Sequence, residues 1–508
     1  MKYLMPSFKN TDSKALTSFI ILIYMLLMFI VYPFYMKTGY VNIGEYKFYF
    51  FLYSSIGAVL LLLLTGLTEL IKSFNSFTIT DVFILGFIIS STISYLASDY
   101  RSISFLGADG WYLGFLFILI ISIVYILISR LWNYESMMIY ISLAVSAVVF
   151  LIGFLDRFSI YLIPLNERNP SFISTLGNIN WFMGYYSVFV PLGAGLFLFE
   201  TNKNDRKKYQ LILLGLFVFI AFITGFAQGS ESVFLVFFGI INVSIYLCYK
   251  KQITFNSVFL LGIIWAASGQ IVRILRVFLK FNYDTDNLCG YFTGSNFTLM
   301  LLVILLSVNF VFSIKEIKYA NKKVIITFYV LEIIGIIIWV ILGVIKTNTE
   351  LISGLNNSVF YFNEKFGNNR GEAYKVTFIA FNKMPLIKKI IGVGPDCYSE
   401  WVYSIKDLNY ELRTLWPNDI LVNAHNELLT MLINEGFLGV FCYFGIFISF
   451  IVNSLKKSSN HIILCISLSI ICYLVHNMIS FMQVLNTPYI FMLMAMGKSL
   501  DFFDKKHD

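Results

Sequence analysis

The chain has 508 residues, 58% of them hydrophobic and only 13% charged, with 37 Lys+Arg against 29 Asp+Glu and a mean hydropathy of +0.77. A water-soluble globular chain carries about 25% charged residues, so that class is excluded. The net charge of +8 invites a nucleic-acid reading, but its distribution along the chain excludes that as well.

Apolar runs of roughly 20 residues, each enough to cross a bilayer, recur along the whole sequence. They cover 16–35, 48–71, 80–97, 111–129, 135–155, 178–199, 209–226 and 230–249, then 255–279, 291–314, 324–345, 426–452, 461–481 and 484–500. The reading is an all-α polytopic membrane protein with about 12–14 transmembrane helices. The first run is of span length and lacks a small-residue cleavage site, so it is expected to remain as a helix. With the N-terminus in the cytoplasm and spans alternating, Lys2, Lys9 and Lys14 fall on the cytoplasmic side. Lys203, Arg206, Lys207 and Lys208 join them, as do Lys315, Lys318, Lys322, Lys323, Lys498, Lys505 and Lys506. That asymmetry is the positive-inside rule, a topology signal rather than a nucleic-acid footprint.

Polar stretches then collect on the opposite, outward side. In "LGNINWFMG", Asn178 and Asn180 put two amides at an interface beside Trp181. Capping of the next helix explains them as well as binding does. In "AQGSESVF", Ser230 and Glu231 form a polar turn between two apolar spans, and an ionisable group at membrane depth is a functional candidate by default. Arg273 and Arg276 are basic residues against the positive-inside trend, either snorkelling at a helix end or meeting an anionic substrate. His476 and Asn477, inside a span, are expected to be satisfied bundle polar groups.

The one long connection, 346–424, divides the chain into N-terminal spans (1–345), an external loop and C-terminal spans (425–508). Too rich in Trp, Tyr, Phe, Ile and Leu for disorder, the loop is expected to fold as a small cap with the working surface beneath it. The stretch "GNNRGEAYKVTFIAFNKMPLIKK" reads as an amphipathic helix, with Asn369 as N-cap, Glu372 completing a capping box, and an end at Met384-Pro385. Arg370 at its start opposes the helix dipole unless an anion offsets it, and a planar guanidinium fork suits a diphosphate. Gly392, Gly394 and Pro395 call for a tight, backbone-exposed turn, and a second short helix over about 396–406 follows. In "NAHNELLTMLINEGFLGV", Asn423 is expected to cap the next span. That places His425 in its first turn, where the dipole favours a neutral imidazole able to take a proton from a hydroxyl, with Asn426 and Glu427 beside it. A structural histidine bonded to a loop carbonyl is the bland alternative.

Six cysteines show no Cys-x-x-Cys pairing. Only Cys289 and Cys397 face outward on this topology, the one pairing open to a disulfide. No Walker-type loop and no His-x-x-x-His spacing occurs, so neither a nucleotide, a bound metal nor another cofactor is expected.

In this order the elements resemble the O-antigen ligase/polymerase family, which comprises Wzy-type membrane glycan polymerases and lipopolysaccharide ligases. The matching residues are Gly177-Asn178-Ile179-Asn180, the Ser230–Ser232 turn, Arg370, Gly392-Val393-Gly394-Pro395, His425-Asn426, and Glu435-Gly436 with Gly439. The resemblance is sharp over 360–440, partial over 170–240 and topological elsewhere. It implies a C-type glycosyltransferase-like bundle in a bacterial cytoplasmic (inner) membrane, with its active site facing outside. It also implies metal-independent transfer of a glycan from an undecaprenyl-diphosphate carrier to an acceptor hydroxyl, with membrane lipids and a chain-length regulator as partners. His425 would activate the acceptor and Arg370 would hold the diphosphate. Many members carry an arginine in the polar turn; this chain has none, and Arg273 or Arg276 is the expected substitute. A polymerase extending a second lipid-linked unit is the first reading. A ligase to protein or another envelope polymer, or a lipid-linked oligosaccharide flippase, is the alternative.

Overall fold

The computed structural model describes residues 13–507 except 74–76, 134, 166–168, 204, 206, 283–286, 350–357 and 458–459. Lys2, Lys9 and Arg206 lie outside the described residues, as do the side chains of Lys14, Lys505 and Lys506.

The first half contains α1 (Ala15–Phe34), α2 (Ile43–Ser73), α3 (Ile79–Leu96), short α4 (Arg101–Leu106), α5 (Phe115–Leu131), α6 (Met137–Arg157), α7 (Ile179–Thr201), α8 (Lys208–Gln228) and α9 (Ser232–Tyr249). A two-stranded hairpin, β1 (Phe172–Ile173) and β2 (Gly177–Asn178), precedes α7. There follow α10 (Phe255–Phe278), short α11 (Leu288–Gly294), α12 (Phe297–Ile314) and α13 (Lys322–Asn348). The segment between α13 and the last three helices forms α14 (Phe366–Lys383), α15 (Leu386–Ile391), α16 (Tyr398–Ser404), α17 (Lys406–Leu415) and α18 (Glu427–Asn434). Three more helices close the chain: α19 (Gly436–Lys457), α20 (His461–His476) and α21 (Thr487–His507).

Among the described residues, 11 helices are long and apolar enough to cross a membrane, and α5 and α20 are shorter apolar helices. The protein is an all-α, multi-pass membrane protein. Its spans alternate, so the connections after α1, α3, α6, α8, α10, α13 and α20 share one face with α14–α18. Hydrogen bonds between those connections agree, from Ser98 to Val393, Cys289 to Ser230 and Asn426 to Met478.

At the centre stands α7, the most enclosed of the spans, with 94% of its apolar window buried. Small residues let its neighbours close in. A Cβ added at Gly184 would strike the Asn486 side chain, and at Gly193 the Phe217 ring. On the opposite face, buried Asp81 pairs with Arg130 at 2.7 Å and with Lys498, tying α3, α5 and α21 together.

The α14–α18 segment, a cap on one end of the bundle, has an apolar core of its own, built from residues such as Val376, Ala380, Tyr398, Val402 and Leu412. Leu429 and Ile433 of α18 belong to it, so this core crosses the expected division at 424/425. Each such side chain stabilises the cap by roughly 1.5–3 kcal/mol when fully buried.

Four expectations are corrected here. The span expected over 426–452 is two helices, broken at Glu435-Gly436, where Gly436 has a φ of 65°. The turn at Gly392–Pro395 is buried, not exposed: the amides of Val393 and Gly394 donate to the Ile433 and Asn434 carbonyls, each at 3.0 Å. All six cysteines are free and buried, so no Cys289–Cys397 disulfide forms. Neither ring nitrogen of His476 has a hydrogen-bond partner among the described residues, although the ring is buried.

Candidate functional site

A cleft of about 340 Å³ opens between the cap and the bundle. Four separate parts of the chain line it: Ile179-Asn180 at the start of α7, the Gly229–Glu231 turn between α8 and α9, Gly367–Arg370 with Ala373, and Trp416 to His425. Five candidates from the sequence, Asn180, Ser230, Glu231, Arg370 and His425, are therefore in one cavity.

His425 does not lie in the first turn of a helix, as expected; it precedes the cap. Asn426 is the N-cap of α18, its Oδ1 accepting from the Leu429 amide at 3.1 Å, while Asn423 instead accepts from the His425 amide at 3.0 Å. This places His425 at a φ of 50°, a left-handed conformation uncommon outside glycine that histidine tolerates better than most residues. The half-buried ring meets Phe481 edge to face at 5.7 Å, and neither ring nitrogen has a protein partner among the described residues. Burial first, and the Arg370 charge second, pull its pKa from 6.5 down to about 4. The imidazole is neutral at neutral pH, through desolvation and a nearby cation rather than a helix dipole.

Arg370 opens the regular part of α14. Before it, Gly367, Asn368 and Asn369 are all left-handed, with φ of 55°, 59° and 68°. Asn369 therefore forms no capping box: the Glu372 amide donates to the Glu364 carbonyl, and its carboxylate faces Lys375. Asparagine adopts this left-handed region more readily than most residues. Arg370 Nη1 donates to the Gly367 carbonyl at 3.1 Å, and the rest of its fork has no partner among the described residues. The Glu231 carboxylate likewise has none.

Other candidates lie elsewhere. Asn178 caps α7, accepting from the Asn180 amide at 2.8 Å. Asn426 also donates to the Met478 carbonyl at 2.8 Å, and buried Glu427 turns inward to accept from the Met482 amide. A Cβ at Gly392 would lie 2.1 Å from the Asn434 carbonyl oxygen, and at Gly394 2.4 Å from Ser98 Oγ, so these glycines serve close packing. Neither Arg273 nor Arg276 lines the cleft. Arg273 donates to Asn296 Oδ1 at 2.9 Å, and Arg276 donates to Thr293 Oγ1 at 2.7 Å with its guanidinium over the Phe281 ring. They secure the α10–α12 connection.

Asn368, Trp416 and Asp419, which the sequence does not single out, also line the cleft, as does Asn369, expected only as a helix cap. The Gly-Asn-Asn run is a legible left-handed turn signal. Nothing local in Trp416-Pro417-Asn418-Asp419 distinguishes it from an ordinary loop. No group of three or more His, Cys, Asp or Glu able to hold a metal occurs among the described residues.

Residues 288–444, less than half of the chain, match the family model described as O-antigen ligase. The matched stretch includes Arg370, Trp416, Asp419 and His425. No curated protein matches the chain.

Proposed function

We propose that this chain, whose residues 288–444 match the O-antigen ligase family model, is a glycosyltransferase-like membrane enzyme of that family and transfers a glycan from an undecaprenyl-diphosphate carrier to an acceptor hydroxyl. The acceptor is a second lipid-linked repeat unit, and the cleft faces outside the cytoplasmic membrane. The carrying observation is the shared cleft: a neutral imidazole with free nitrogens, and a guanidinium with most of its fork unused, line one cavity although 54 positions separate them in the chain.

In this reading the acceptor oxygen attacks the anomeric carbon as the bond from that carbon to the phosphate oxygen breaks. His425 takes the hydroxyl proton, the bond electrons leave with the diphosphate, and Arg370 meets the growing charge. A single displacement of this kind inverts the anomeric centre. Donor binding also tunes the base, because diphosphate charge against Arg370 offsets the cation that holds His425 down. The imidazole becomes more basic once the donor is seated. Asn180, Ser230 and Asp419 supply polar contacts for sugar hydroxyls, and Trp416 offers an aromatic face.

Substitution of the two residues, with product length and membrane abundance followed in the same cells, tests the reading. His425→Ala is expected to lose polymer by about 10²–10⁴-fold at normal abundance. Arg370→Lys, which keeps the charge and loses the fork, is expected to lose most activity. Full activity in either variant would remove that residue from the mechanism.

A further inference from the structure

Arg157, the last residue of α6, is buried at 1% exposure behind the bundle-side wall of the cleft. Its Nε donates to Gln228 Oε1 at 2.7 Å, and its Nη1 donates to the Pro170 carbonyl at 2.5 Å. Its own carbonyl accepts from the Asn282 amide at 2.8 Å. One residue therefore joins three connections that are remote in sequence.

What each connection carries matters more than their number. Gln228 is the final residue of α8, held in turn by its Nε2 on the Gly153 carbonyl at 3.2 Å. Immediately after it comes Gly229, left-handed at a φ of 72°, and then Ser230 and Glu231 at the cleft. Pro170 enters the β1–β2 hairpin, where the Ile179 amide returns to the Ser171 carbonyl at 2.9 Å, and the chain then presents Asn180. The guanidinium thus sits where the bases of both bundle-side cleft elements converge. A planar fork can hold two acceptors in fixed relative positions; an ammonium or an amide cannot.

We infer that Arg157 is a positioning residue for the glycan-transfer site: its fork, acting through Gln228 and Pro170, sets the distance between Asn180 and the Gly229–Glu231 turn, and hence the fit of the lipid-diphosphate donor. The inference rests on the cleft being the donor site, as proposed above. Arg157 does not line the cleft; it acts through the two segments that do.

The test measures binding of undecaprenyl diphosphate to the full-length protein in lipid nanodiscs, with the thermal midpoint recorded for every variant. Gln228→Leu, close in volume but unable to accept from Nε, is expected to weaken binding by about tenfold, the size of one charge-assisted hydrogen bond. Gln228→Glu keeps the acceptor for Nε but loses the donor to the Gly153 carbonyl, and is expected to recover most of the binding that Gln228→Leu loses. Arg157→Lys should fall with Gln228→Leu. A merely structural role predicts a different pattern, in which binding losses follow thermal midpoints and Gln228→Glu is no better than Gln228→Leu; that pattern overturns the inference. If Arg157→Lys does not fold, the two Gln228 variants decide alone. Arg370→Met serves as the control for the parent reading. Weakened binding there with native binding in Gln228→Leu rejects the clamp alone, whereas native binding in Arg370→Met rejects the donor site and the clamp together.

Discussion

At the scale of single residues, the site turns on the environment of His425. A histidine whose folded pKa is depressed binds its proton later than the unfolded chain does. The native state therefore keeps this stability above about pH 6.5 and loses it as pH falls toward about 4. His425→Gln should consequently flatten the acid side of the stability profile in that window, as read by thermal midpoint against pH. For turnover, the base form persists well below the usual histidine range, so the acid limb of kcat/KM should lie near 4. Arg370→Met should move that limb upward by removing the neighbouring cation. An acid limb at 6.5 that ignores Arg370 would contradict the assignment. The sequence marks His425 and Arg370 as chemical candidates but gives the wrong reason for a neutral ring. A first-turn position is a local expectation, whereas burial under the cap and a cation 55 residues upstream are set by the tertiary fold.

At the scale of elements, the turns around the cleft were read in kind and misread in place. The helix from Arg370 to Lys383, its stop before Pro385, and the short helix at Tyr398–Ser404 follow from capping, periodicity and proline, all of which are local. Asn423 and Asn426 both suit the cap of α18 by sequence, and Asn426 fills it, held by its long-range bond to the Met478 carbonyl. The buried path of Gly392–Pro395 was equally hidden, since its reason is the carbonyl of Asn434 some forty residues on. Two substitutions check these roles. Asn426→Ala removes a cap and should cost about 0.5–2 kcal/mol. Gly392→Ala, at a φ of 81° and with a Cβ 2.1 Å from a carbonyl oxygen, should be worse and lower the folded fraction several-fold. Thermal midpoints and membrane yield would read both. An alanine at 392 without effect would mean that the turn yields easily.

At the scale of the whole molecule, the architecture was largely legible because bilayer thickness sets helix length and hydropathy reports it directly. The break at Glu435-Gly436 escaped, since an apolar run does not reveal a left-handed glycine inside it. Which face looks outward remains a proposal resting on lysine and arginine placement. Cysteines introduced singly at Asp419 and Lys207 place the two faces: an impermeant thiol reagent on intact cells should label the first and spare the second. The reverse labelling would invert the topology and end the proposed reaction.

One span stands apart from the packed bundle. No residue in the most apolar window of α13 is buried, and its 27 residues reach about 40 Å, beyond a hydrocarbon core of about 30 Å. A span longer than the hydrocarbon core is accommodated by tilting, by kinking or by local thickening of the bilayer. The upper end of α13 is also tied to the cleft. Trp339 Nε1 donates to the Val359 carbonyl at 3.2 Å, the Phe362 amide donates to Thr347 Oγ1 at 2.7 Å, and Ser358 Oγ donates to Asn368 Oδ1 at 3.2 Å. A change in the tilt of α13 would therefore be carried through these bonds to the wall around Arg370. In vesicles of phosphatidylcholines of increasing acyl length, turnover should pass through a maximum, and Trp339→Leu should flatten the curve. A native protein indifferent to acyl length would uncouple α13 from the cleft.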